Sequence, residues 1–217
     1  MAHPVLCKRC GSCCLEGGPA LHLQDAGLID DGRLTFDHLV TIRSGELAVT
    51  PPGNKAEPVA GEFLKLQGRQ GDWGCLFYEQ VGARCTIYQN RPVACRVLEC
   101  SAPEALLTIV GKNLLTRFHC IAADDPLLPL VKEHQAACPC PDLGEVKRQI
   151  EGCLSRDELV ESLQEKVDLD LQYRQAAASY YQLSVHKELF YFGRPLFQLL
   201  IPLGIRTASA GESIELF

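Results

Sequence analysis

Four cysteines within eight residues constrain this chain more than anything else in it: Cys7, Cys10, Cys13 and Cys14, in the run C-K-R-C-G-S-C-C. Two residues between thiolates let the backbone turn so that both sulfurs face one ion, at about 2.3 Å for zinc. Gly11 and Ser12 suit such a turn, because glycine tolerates positive φ and serine favours turns. Sixty residues then pass without a cysteine before Cys75, Cys85, Cys95 and Cys100 follow. Eight thiolates at four per ion make two sites, which fits a pair of zinc ions or iron–sulfur chemistry equally. Adjacent side chains seldom aim at one ion without strain, so Cys13 and Cys14 are expected to serve different ions or a shared cluster.

Twelve cysteines in 217 residues need a compartment to explain them. Disulfides persist where the surroundings oxidise, and the N-terminus shows no basic stretch followed by an apolar one. The thiols therefore read as ligands in a cytoplasmic protein. The formal charge of −6 provides no basic stripe for nucleic acid, and no apolar run approaches the roughly twenty residues that span a bilayer. The expected partners accordingly exclude nucleic acid and membrane and leave room for an unidentified protein. Cys120 and Cys153 stand alone and read as small buried hydrophobes. Cys138-Pro139-Cys140-Pro141 is a stiff stretch that offers further ligands, with no spacing rule behind it.

Short apolar runs between turn formers fill the first hundred residues, with strands expected at 39–42, 46–49 and 62–66 in one small sheet. Helical spacing takes over from Pro103, with a short helix over 126–137. A capping box at Ser155 and Glu158 opens a helix running to about Phe192, where Gly193-Arg194-Pro195 stops it. Residues 196–201 are expected to dock, and the tail from Thr207 to fray. The fold class is α+β: a metal-organised cysteine-rich domain over 1–143, with its motif core at 7–100, followed by a helical extension over 144–217.

The two C-x-x-C steps resemble the opening of a bacterial ferredoxin run, although Cys14 follows at once where the fourth ferredoxin cysteine stands later. The whole pattern resembles the YkgJ-like cysteine-cluster family, whose C-x-x-C-x-x-C-C signature is reproduced by Cys7, Cys10, Cys13 and Cys14. Cys75-Leu76-Phe77, Cys85-Thr86-Ile87-Tyr88, Arg91-Pro92, Cys95-Arg96 and Cys100 continue the likeness, with Leu76 and Glu99 where prolines are usual. The resemblance implies chelation of zinc or iron, the latter including a [4Fe–4S] cluster, with those eight cysteines as the ligand set. It also implies an alternative, a protein side-chain methyltransferase like the flagellin lysine-N-methylases, with a cofactor pocket between the two halves. Arg91 and Arg96 are expected to support the thiolates. Lys8 and Arg84 read as surface charges, His119 as a cap or surface residue, and the acidic residues Glu158, Glu161, Glu165 and Asp168 as a solvated helix face.

Overall fold

A computed structural model describes residues 10–69, 71, 73–152, 156–211 and 213–217. From the N-terminus these form α1 (Ser12–Leu15), α2 (Ala26–Asp30), β1 (Leu39–Ile42), β2 (Leu47–Val49), β3 (Ala56–Pro58), β4 (Phe63–Leu66), β5 (Tyr78–Glu79) and β6 (Arg84–Cys85). Helices follow as α3 (Val93–Val97), α4 (Glu104–Leu107), α5 (Leu128–Ala137), α6 (Leu143–Gly152), α7 (Arg156–Tyr181), α8 (Val185–Phe192) and α9 (Leu196–Leu200), and the chain closes with β7 (Thr207–Ala210) and β8 (Ser213–Leu216). Short strand pairs in the first half and helices in the second make the class α+β. No helix among the described residues is long and apolar enough to cross a membrane.

The strands do not join into one sheet. They pair off antiparallel as β1–β4, β2–β3, β5–β6 and β7–β8. A two-stranded ribbon is marginal by itself and needs something packed on it. The ribbon β1–β4, registered Leu39 to Leu66 and Ile42 to Phe63, is covered by α8 from the far end of the chain. All four β1 residues are buried, and the Thr41 hydroxyl donates to the Phe190 carbonyl at 2.5 Å. Phe36 stacks on Phe190 with ring centroids 3.9 Å apart. Phe190 and Phe192 are fully buried with Leu21, Leu34, Leu64 and Leu66, and each such side chain contributes about 1.5–3 kcal/mol. A second core gathers Leu143, Val146, Leu163, Val167, Leu196 and Leu199 beneath α7.

The two cores meet at a buried charge network. Asp170 on α7 accepts from His134 Nε2 at 2.8 Å, from Arg174 Nε at 2.8 Å and from the Leu196 backbone at 3.0 Å. Arg43 lies 3.6 Å away, and Glu46 binds Arg194 at 2.7 Å. Arg174 also donates to the carbonyls of Phe192, Gly193 and Arg194, so the turn between α8 and α9 is held from inside.

Three further expectations change. The helix expected to run to Phe192 breaks after Tyr181: Gln182 turns to φ 50°, and Ser184 caps α8 by accepting from the Lys187 N–H at 3.2 Å. Apolar spacing continues across that break because both helices bury a face, so periodicity alone does not reveal it. The tail does not fray: β7–β8 docks on α7, where the Gln164 side chain donates to the Ile214 carbonyl and accepts from the Leu216 N–H. The helix opened at Pro103 lasts a single turn. Ser155, the expected cap of α7, lies outside the described residues.

Candidate metal centre

One cavity of about 280 Å³ opens in the N-terminal half, and Cys10, Cys13, Cys14, Cys75, Cys85, Cys95 and Cys100 all line it. These are seven of the eight expected ligands; Cys7 lies outside the described residues. Three separate stretches deliver them. Gly11 at φ 81° turns the chain into α1, which carries Cys13 and Cys14. A Cβ on Gly11 would stand 2.0 Å from the Tyr78 hydroxyl, so only glycine lets this turn sit against the β5 residue. Cys75 pairs across the turn with Gly68, and its N–H donates to the Cys14 carbonyl at 2.6 Å, joining the first and second cysteine groups through the backbone. Cys85 ends β6, Cys95 lies on α3, and Cys100 follows it. Gly68, Gly71 and Gly74 belong to the turn before Cys75, with the Arg69 N–H donating to the Gly74 carbonyl.

The cavity has a buried floor and an open mouth. Cys75 is buried, whereas Cys10, Cys13 and Cys100 are exposed. Phe77, Ile87, Pro92 and Leu98 give it apolar walls, and Arg91 and Glu99 are its charged lining residues. Burial pushes the Cys14 thiol up to about 12, helped by the neighbouring charges of Cys13, Cys75 and Cys85. Cys95 is pushed up by burial and then by Cys75, Cys13, Cys14 and Cys85. Burial also raises Cys75, against the opposing effect of the Phe77 N–H donated to its sulfur. Thiols that raise one another in this way share one field: as anions they repel, and a cation among them relieves that repulsion. Metal ions supply it, because a coordinated thiol is deprotonated outright. The Cys13 and Cys14 sulfurs are 4.0 Å apart. Two sulfurs on a tetrahedral ion at about 2.3 Å stand roughly 3.8 Å apart, so these neighbours can hold one ion. The donor set therefore fits a thiophilic metal.

Three of the ten described cysteines lie away from the cavity. Cys120 donates to the Thr116 carbonyl within its own turn. Cys138 and Cys140, offered by the sequence as further ligands, bond to the Lys166 and Pro141 carbonyls instead. Cys153 lies outside the described residues. Cys138 does sit with His134 and Asp170 in a compact buried trio. A metal there would face Arg43 and Arg174, whose guanidiniums already neutralise the Asp170 carboxylate. Burial holds His134 below its ordinary value, so it bonds to Asp170 as a neutral ring. The trio belongs to the charge network and does not fit a metal.

Among the supporting residues, Arg91 lines the cavity with its guanidinium 3.7 Å over the Tyr88 ring, while Arg96 is exposed and does not line it. Arg84 forms a surface pair with Glu79. His119 caps its turn, accepting from the Thr116 N–H at 3.0 Å. Lys8 is outside the described residues. Glu161, Glu165 and Asp168 of α7 line an open groove beside Leu216 and Phe217, and Glu158 is exposed outside it. Sequence reasoning missed the apolar walls; Ile87 and Leu98 carried a signal only in being apolar residues beside cysteines.

An α+β chain that folds seven thiols around one cavity is a metal-chelating protein in its architecture. The sequence model of the CxxCxxCC family, described as "Putative zinc- or iron-chelating domain", matches residues 6–114, and the chain belongs to that family. No curated protein and no solved structure matches it.

Proposed function

We propose that this protein holds zinc or iron as a metal–thiolate centre inside the one cavity, with Cys10, Cys13, Cys14, Cys75, Cys85, Cys95 and Cys100 as ligands and Cys7 as the eighth. The observation that carries this reading is the convergence of seven thiols from three separated stretches on a single cavity. Four ligands per ion divide eight thiolates into two ions, and one shared cavity favours a polynuclear arrangement: two zinc ions or an iron–sulfur cluster. The reading places the protein in a reducing compartment such as the cytoplasm, where thiols remain available to metal.

The cavity's lining comes from residues 10–101 and includes nothing from α5 to α9. A methyl-transfer enzyme with a cofactor pocket between the two halves therefore draws no support from it. The cavity also lies near the lower end of the roughly 300–1,000 Å³ of small-molecule sites, which suits a cluster better than a cluster plus an organic substrate.

The test is metal and acid-labile sulfide content, with an absorption spectrum, on protein purified without oxygen. A brown protein with iron and sulfide supports a cluster; a colourless one with about two zinc ions supports a closed thiolate site. Protein that is folded, free of metal and unable to take up either ion overturns the reading.

A further inference from the structure

Tyr78 touches each of the segments that bring the first four mapped cysteines of the cavity together. Its N–H donates to the Cys75 carbonyl at 2.9 Å, and the β5–β6 ribbon pairs it with Cys85. Its ring reaches the first cysteine group: a Cβ on Gly11, between Cys10 and Cys13, would meet the Tyr78 hydroxyl before any other atom. Tyr78 lines the cavity and is 8 % exposed. Its hydrogen bonds all run through its backbone, the carbonyl accepting from Arg69 at 2.7 Å. Among the described residues nothing pairs with its hydroxyl. A buried phenol ordinarily finds an acceptor, so one without it calls for an occupant that supplies one. Arg91 repeats the pattern in the same wall. Its Nε donates to the Tyr88 carbonyl at 2.9 Å, and among the described residues its terminal nitrogens have no acceptor. Two spare donors in one cavity suit contents that carry negative charge, which sulfurs bound to a metal do.

We propose that the Tyr78 hydroxyl donates to a ligand sulfur of the loaded centre, as a positioning residue that acts on the ion through that sulfur. The inference rests on the function proposed above. A hydrogen bond to a ligand sulfur draws electron density from it and so tunes the metal it holds. Without an occupant the hydroxyl has no bond within the chain to lose. Its contribution therefore exists only in the loaded protein, whereas a hydroxyl that served the fold would contribute in both.

The experiment compares the full chain as wild type and as Tyr78→Phe, which keeps the ring that packs on Gly11 and removes the donor alone. Zn²⁺ affinity is measured against a chromophoric chelator, the thiolate-to-metal charge-transfer band is recorded with Co²⁺ as a coloured probe, and urea unfolding is followed without metal. The variant should hold zinc roughly 10-fold more weakly, and its cobalt band should move to longer wavelength as the sulfur lone pair rises. Its metal-free stability should match or exceed that of wild type. An unshifted band or an unchanged zinc affinity overturns the proposal and leaves Tyr78 a packing residue. A metal-free variant that is less stable than wild type, or does not fold, overturns it too, since the hydroxyl then serves the fold. A wild type that takes up neither ion overturns the centre itself, and so is told apart from a failure of the tyrosine's role alone.

Discussion

At the scale of single residues, the proposed centre divides the cysteines into those whose loss should change metal binding and those whose loss should not. Cys75→Ser and Cys95→Ser each remove a thiol from the centre and should lower metal per chain; Cys120→Ser, whose sulfur is bonded within its own turn, should leave it unchanged. Metal analysis of the three purified proteins checks this, and equal content in all three would remove the cavity from consideration. Cys10→Ser, at the exposed mouth, should lower metal content and solubility together if the ligands nucleate the fold. That Cys10, Cys13, Cys14, Cys75, Cys85, Cys95 and Cys100 belong together was legible because thiols are rare and C-x-x-C steps are the spacing a shared ion needs. The apolar walls were not. Phe77, Ile87 and Leu98 read as ordinary members of short apolar runs, and nothing local says that they face the cysteines.

At the scale of elements, what matters is how turns aim the side chains that follow them. Gly11→Ala forces a Cβ into the Tyr78 ring at positive φ. It should cost about 1–3 kcal/mol and displace Cys10 and Cys13 together, which urea denaturation and metal content would both register. Ser184 caps α8 and also donates to Asp37 at 2.8 Å, tying the start of that helix to the segment before β1. Ser184→Ala should therefore cost about 1–2 kcal/mol in urea, at the upper end for a lost cap. The strands at 39–42, 46–49 and 62–66 were readable to within a residue at their ends, since apolar runs between turn formers leave few other options. Their arrangement as separate ribbons was not, because pairing partners are set by contacts from remote segments. The break at Gln182 and the docked hairpin β7–β8 escaped for the same reason: each depends on what α7 packs against, and not on its own composition.

At the scale of the whole molecule, Asp170 joins α7 to the cysteine half through Arg43 and to the α8–α9 turn through Arg174. Burial alone would raise its carboxyl, but His134 and Arg174, with Arg43 beyond, hold it well below the usual carboxylate range. A depressed folded value contributes stability above the unfolded value, near pH 4, that is lost as pH falls further. Asp170→Asn leaves two buried guanidiniums short of an anion and should cost about 3–5 kcal/mol at pH 7. The gap to wild type should narrow as pH drops below about 4, and a gap of the same size at pH 3 and pH 7 would rule out the charge as its source. The cover that α8 lays over β1 has one more consequence, which concerns time. Cys75 and Tyr78 share their core with Phe190, Tyr191 and Phe192. Synthesis runs at about 5–20 residues per second, so the stretch from Cys100 to Phe190 emerges on the order of 5–20 s after the last of the cavity's cysteines. Through that interval a growing chain presents its thiols without the aromatic backing behind them.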